Sequence, residues 1–306
     1  MAPRPGVIPL RPLTLTDIID GAVKTMRSYP AVMLGVAAAV MTITQLIAWP
    51  FQWAMSDDLN QIATGQAVDP QDVETMLGPM IGGLGITLLI LLLARVFLTG
   101  FLTAVVGKAV IGRAAPFSGV WAEVKPQLPR LLGLTMVYPL AAAALIIPVV
   151  LVAVVSPELG VLLGVVVFFV AIWLFVSFSL ATPALILERA GVFAALGRSR
   201  ALVKGSWWRV FGILALTTII VAVLGSVIQV PFELIGGGTS NLFSTEFAEI
   251  TAGYLLLSSI GVIVASTITE PFAAGVTALL YTDQRMRREG LDIELARSAE
   301  SQPPQP

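Results

Sequence analysis

The chain contains neither cysteine nor histidine. Without cysteine there is no disulfide framework and no thiolate chemistry. Without histidine the commonest general base and the commonest metal ligand are both missing. Together the two absences exclude Cys/His zinc sites, Ser-His-Asp triads and Cys-His dyads. No cofactor and no metal site is expected, and the chain reads as non-enzymatic. Charge is scarce as well. Only 12% of residues are Asp, Glu, Lys or Arg, against about 25% in a soluble domain, so half of the usual solvating surface is gone. The net charge of −1 argues neither for nor against nucleic acid, and no nucleic-acid partner is expected.

Apolar sequence fills the space. Hydrophobic residues make up 57% of the 306, and the mean hydropathy is +0.90. Apolar runs recur at about residues 29–51, 79–108, 131–155, 159–187, 210–231 and 251–281, each long enough for a hydrocarbon core of roughly 30 Å. The fold class expected is all-α, a polytopic six-helix transmembrane bundle. Asp17 and Asp20 precede the first run, which is too long for a signal h-region, so that crossing is read as retained. Residues 1–13 are proline-rich and are read as a disordered N-terminal arm. Residues 14–288 are read as a single six-span membrane domain, and 289–306 as a disordered cytoplasmic tail.

Basic residues fix the orientation. In a six-span layout every Lys and Arg falls on one side except Arg95, which lies inside a span. The positive-inside rule then places both termini in the cytoplasm. The localisation expected is the plasma membrane, with lipids and other membrane proteins as partners. The opposite loops are acidic, with Asp57, Asp58, Asp69, Asp72 and Glu74 in the first. Asp69-Pro70 has the form of a cap for a short surface helix there.

The layout repeats. Val124-Lys-Pro-Gln-Leu-Pro-Arg-Leu-Leu-Gly133 aligns without gaps on Val203-Lys-Gly-Ser-Trp-Trp-Arg-Val-Phe-Gly212, and Val23-Lys24 opens a looser third copy. Each copy leads from an interfacial segment into an outward crossing. The inward crossings match through Arg95-Val-Phe-Leu-Thr-Gly100 and Glu270-Pro-Phe-Ala-Ala-Gly275. The unit is an interfacial helix plus a membrane hairpin, used three times at about 14–110, 111–190 and 191–288. All copies face alike, unlike the inverted repeats of many transporters.

Three segments resemble a known family: Pro9-Leu-Arg-Pro-Leu-Thr-Leu-Thr-Asp-Ile-Ile-Asp-Gly21, residues 199–212, and Leu280-Tyr-Thr-Asp-Gln-Arg-Met-Arg-Arg-Glu-Gly-Leu-Asp292. They are similar to actinobacterial integral membrane proteins related to the membrane domain that accompanies glycerophosphoryl diester phosphodiesterases. The resemblance runs over about residues 9–295, and the last segment is its most specific part. It implies a plasma-membrane protein of a high-GC Gram-positive bacterium. It does not bring the enzyme with it, because catalysis in that family's soluble domain needs histidines, and this chain has none.

Two charges stand out inside the spans. Arg95 lies 13 residues before Lys108 (108 − 95), and Glu270 lies 13 before Asp283 (283 − 270). At 1.5 Å per residue each is about 20 Å from the basic boundary, within the hydrocarbon. An unpaired charge there costs about 2.5–3.5 kcal/mol, so the two are expected to pair across the second and sixth crossings. Ser177, Ser179 and Thr182 make a candidate polar patch in the fourth span, and Arg198, Arg200, Lys204 and Arg209 make a candidate contact for anionic lipid. The Gly160/Gly164 pair and the cluster Gly78, Gly82, Gly83 and Gly85 read as close packing. Two functions fit these features. One is a scaffold or envelope-associated factor acting through its bundle. The alternative is a transporter or lipid-handling protein with a polar intramembrane site around Arg95, Thr182 and Glu270.

Overall fold

A computed structural model describes residues 7–9, 11–63, 70–236 and 251–290. These form α1 (Leu15–Ser28), α2 (Pro30–Ala63), α3 (Pro70–Val110), α4 (Phe117–Val124), α5 (Leu128–Val155), α6 (Pro157–Phe178), α7 (Ala181–Glu188), α8 (Val192–Val203), α9 (Trp207–Ile235) and α10 (Ala252–Glu289), with a 3-10 turn at Lys125–Gln127. Six stretches are apolar and long enough to cross a membrane: Pro30–Ser56, Gly82–Val110, Phe117–Val155, Pro157–Glu188, Trp207–Ile235 and Ala252–Glu289. The protein is all-α, with the six apolar helices of a polytopic membrane protein.

Local sequence explains where the helices start and break. Thr14 and Asp17 form a capping box: Asp17 N–H donates to Thr14 Oγ1 at 3.2 Å, and Thr14 N–H donates to Asp17 Oδ2 at 3.0 Å. The fourth crossing is broken between α6 and α7. Pro183 has no N–H to give the carbonyl of Ser179, and its ring crowds that carbonyl. The break is bridged from α8, where the Ser199 hydroxyl donates to the Ser177 carbonyl at 2.8 Å and accepts Leu180 N–H at 3.1 Å.

Several expectations change. α2 extends to Ala63 and α3 begins at Pro70, so both flanks of the loop between them continue the crossings, with no separate surface helix among the described residues. Asp69, the expected cap, lies outside the described residues, as does the expected disordered tail beyond residue 290. The glycine cluster is not a packing seam: a Cβ added at Gly78, Gly82, Gly83 or Gly85 would meet nothing within 4 Å. The described part of the N-terminal arm is packed rather than loose, with Ile8 and Leu13 fully buried. Proline forbids helix there, but it does not forbid burial of the apolar residues between the prolines.

The chain divides into two compact units. The first gathers Met1–Val32, Thr99–Thr218 and Phe272–Pro306. Its core includes Phe101, Leu102, Leu131, Leu180, Leu185 and Tyr281. α1 joins it through Gly21, whose missing Cβ would lie 2.8 Å from both Ile8 and Leu279. The second unit gathers Met33–Leu98 and Ile219–Pro271. There α9 and α10 approach closely, with the Gly261 position 3.0 Å from the Phe232 side chain.

Within the first unit, α5 and α6 form an antiparallel hairpin joined at Ser156, and its outward face is apolar, with Val155 86% exposed. A surface of this kind needs a nonaqueous surrounding. The two helices touch at Gly160, where an added methyl would meet Ala153 Cα at 2.6 Å; at Gly164 the nearest atom, Val149 Cγ1, is 3.7 Å away. Gly160→Ala is therefore expected to destabilise the hairpin by about 1–3 kcal/mol, the range for overpacking. Gly164→Ala should be neutral. Melting of the two purified variants in detergent checks the contrast; equal melting temperatures would disprove the close approach at Gly160.

Candidate functional site

The second unit holds the charged pair placed by the crossings. Arg95 on α3 reaches Glu270 on α10, with Nε 3.0 Å and Nη2 2.9 Å from Oε1. The pairing is lopsided: the Glu270 side chain is 13% exposed, whereas that of Arg95 is 66% exposed. The carboxylate is held inside the protein and the guanidinium lies along its outer surface. Both residues fall within membrane-length apolar helices.

The first unit carries a denser arrangement at the end where the basic residues collect. Glu188, the last residue of α7, is its hub. Arg198 Nε donates to both carboxylate oxygens, at 3.1 and 3.0 Å, and Arg198 Nη2 donates to Oε1 at 3.0 Å. The Tyr281 hydroxyl donates to the same carboxylate. Arg198 Nη2 also reaches Glu289 Oε2 at 2.7 Å, and Arg285 Nε reaches that oxygen at 3.0 Å. The Glu188 carboxylate bonded to its guanidinium pushes Arg198 above the usual arginine range; burial opposes this and Glu289 adds to it. α7, α8 and α10 are thus joined by charge-assisted hydrogen bonds.

Asp283 anchors a second knot. Its side chain is 0% exposed and accepts Leu13 N–H at 2.8 Å, Arg209 Nη2 at 3.0 Å and Arg287 Nε at 2.9 Å. The carbonyl of Leu13 accepts Arg209 Nη2 and Arg287 Nη2, both at 2.8 Å. Both polar groups of one peptide residue in the N-terminal arm are therefore held by α9 and α10. A buried carboxylate with this many donors is fully compensated.

The residues singled out in the sequence fare differently. Arg95 and Glu270 come together. Ser177 and Ser179 bond back to their own helix, through the carbonyls of Trp173 at 2.7 Å and Val176 at 2.9 Å, as serines in apolar helices commonly do. Thr182 is buried in α7 and belongs to the first unit, whereas Arg95 and Glu270 belong to the second. Arg198 and Arg209 face carboxylates of the protein itself. Arg200 and Lys204 instead line a cavity with Trp173 and Trp207. Sequence reasoning missed Glu188, Tyr281 and the role of Asp283. One signal was present: Asp283 and Arg287 stand at i,i+4, the spacing that pairs charges on one helix face.

Comparison with known proteins adds one match. A family model described as the membrane domain of glycerophosphoryl diester phosphodiesterase matches residues 147–302, just over half of the chain. What is matched is a membrane domain and not a catalytic one, and residues 9–146 stand outside it. No curated protein and no solved structure matches.

Proposed function

For a chain that belongs to the family of the membrane domain of glycerophosphoryl diester phosphodiesterase, we propose a non-enzymatic, lipid-handling function. In this reading the Arg95–Glu270 pair forms a polar intramembrane site that admits a phospholipid headgroup to the hydrocarbon layer. The observation that carries it is the uneven exposure of the pair. A pair serving only as a dry clasp would hide both partners, since a charge open to hydrocarbon costs about 2.5–3.5 kcal/mol. Arg95 instead presents most of its side chain to whatever lies beside α3, and at that depth the neighbour must be polar. This favours lipid handling over a purely structural scaffold. The family's description points to the same chemistry, because a glycerophosphoryl diester is the polar part of a membrane phospholipid.

We further infer six crossings built as three like-facing repeats, with both termini in the cytoplasm of a plasma membrane. Support for the repeat comes from its aligned arginines. Arg130 Nη1 donates to the Arg189 carbonyl at 2.9 Å, just past the end of α7, as Arg209 donates to Leu13 and to Asp283 near the end of α10. In each case the arginine beginning an outward crossing is tied to the inner end of the next inward one. The resemblance of residues 280–292 to actinobacterial membrane proteins supports the plasma membrane of a high-GC Gram-positive bacterium.

Two variants test the site. Glu270→Arg places two cations together at membrane depth and is expected to cost about 3 kcal/mol, seen as lost yield and a lower melting temperature. Wild-type behaviour of that variant would refute the pairing. The neutral double variant R95Q/E270Q removes both charges without leaving either unmatched, and should fold. Function is then read in proteoliposomes, as protein-dependent movement of a fluorescent phosphatidylglycerol between leaflets. Movement is expected with the wild type and not with the neutral variant; a folded variant that moves lipid at the wild-type rate refutes the lipid-handling reading.

A further inference from the structure

Nine described Lys and Arg residues of the first unit lie outside its ion networks, and three of them gather at one place. Glu188, Asp283 and Glu289 are taken by Arg198, Arg209, Arg285 and Arg287, and Glu123 is taken by Lys108 at 2.9 Å. Arg200, Lys204 and Arg288 are three of the nine, each without a carboxylate partner among the described residues. They are not scattered. Arg200 and Lys204 stand at i,i+4 and line one cavity of about 490 Å³ with Trp173, Ser177 and Trp207. The Arg200 guanidinium carbon lies 5.7 Å from the centroid of the Trp173 ring, which fixes where that charge sits. Gly205 lines the same cavity at φ 85°, and its missing Cβ would be 3.1 Å from Arg288 Nη2. The absence of a side chain there lets Arg288 approach the rim.

Like charges at i,i+4 repel each other, and no Asp or Glu lines this cavity. An arginine fork beside a lysine ammonium matches the geometry and charge of a phosphate group. The α6 face that carries Trp173 is apolar and open: Trp173 is 45% exposed, and Phe169, one turn before it, is 65% exposed. The Trp207 indole, at the start of an apolar helix, marks headgroup level, so the cavity joins an anion-binding rim to a surface suited to acyl chains. A soluble phosphate ester would use only the rim.

We propose that the Arg200–Lys204 cavity is a binding site for the phosphate group of an anionic glycerophospholipid. It is distinct from the Arg95–Glu270 pair and does not depend on it. The shared chemistry is the phosphate, and the two sources of it are separated by the probes. The full-length protein in a nonionic detergent is titrated with short-chain phosphatidylglycerol, with phosphatidylcholine and with water-soluble glycerol 3-phosphate, following tryptophan fluorescence. Phosphatidylglycerol is expected to bind tightest, and R200Q/K204Q to weaken it about thirtyfold, at about fivefold per basic residue. Arg288→Gln, an exposed change, should weaken it about fivefold. Glycerol 3-phosphate binding as tightly, with the same loss in R200Q/K204Q, would keep the phosphate site and overturn the lipid as its source. Undiminished phosphatidylglycerol binding by R200Q/K204Q and by Arg288→Gln, both melting like wild type, or equal binding of phosphatidylcholine, would overturn the site itself.

Discussion

Asp283→Ala is expected to lower stability by about 3 kcal/mol, the lower end of the range for stripping one partner from a buried ion pair. The lower end applies because the Arg209 and Arg287 side chains are 35% and 36% exposed and retain some access to a polar phase. Three losses combine. Two guanidinium groups lose their counter-charge, Leu13 N–H loses its acceptor, and the arm that buries Ile8 and Leu13 loses its anchor. Asp283→Asn keeps the shape and one acceptor, so it should fall between the wild type and alanine. Leu13→Pro removes the N–H together with a buried leucine side chain and should release the arm while Arg209 and Arg287 keep their carboxylate. Thermal melting gives the stability, and limited proteolysis near residue 13 reports the arm. An Asp283→Ala protein with unchanged melting and a protected arm would show that this knot contributes nothing.

That knot is also where sequence reasoning stopped short, and the reason is physical. In oil a charge has very few acceptable surroundings, so two opposite charges at matching depth, Arg95 and Glu270, could be paired on paper. At the basic boundary water, headgroups and protein carboxylates all compete for each cation. The sequence shows that Arg198, Arg200, Lys204 and Arg209 collect on one side, but not which of them the protein neutralises. Two are consumed internally and two are left facing a cavity. The crossings themselves were legible because about 20 apolar residues in a row admit a single reading. Their ends were not: α2 and α3 continue through polar sequence that resembles a loop. The break between α6 and α7 was legible only in part. Pro183 announces a defect, but the bridging Ser199 comes from another helix, and no spacing in the sequence connects them.

Glu188 offers the second large effect. Its carboxylate accepts from Arg198 and Tyr281, lies 3.5 Å from Arg285 Nε, and sits at the junction of α7, α8 and α10. Glu188→Ala does not strand the arginines completely, because Glu289 remains within reach of both. It does strand the Tyr281 hydroxyl, which belongs to a residue 1% exposed. A buried hydroxyl without a partner costs about 1–3 kcal/mol, and with the weakened arginine contacts the expected loss is about 3 kcal/mol. Tyr281→Phe removes the stranded group and should cost about 1.5 kcal/mol alone, the low end for a hydrogen bond to a charged group. The double variant E188A/Y281F should then be no less stable than E188A, since the phenylalanine no longer needs an acceptor. The cycle is expected to return a coupling of about 1.5 kcal/mol. Strict additivity would mean that the tyrosine and the carboxylate act separately, and that the three helices are held together by packing alone.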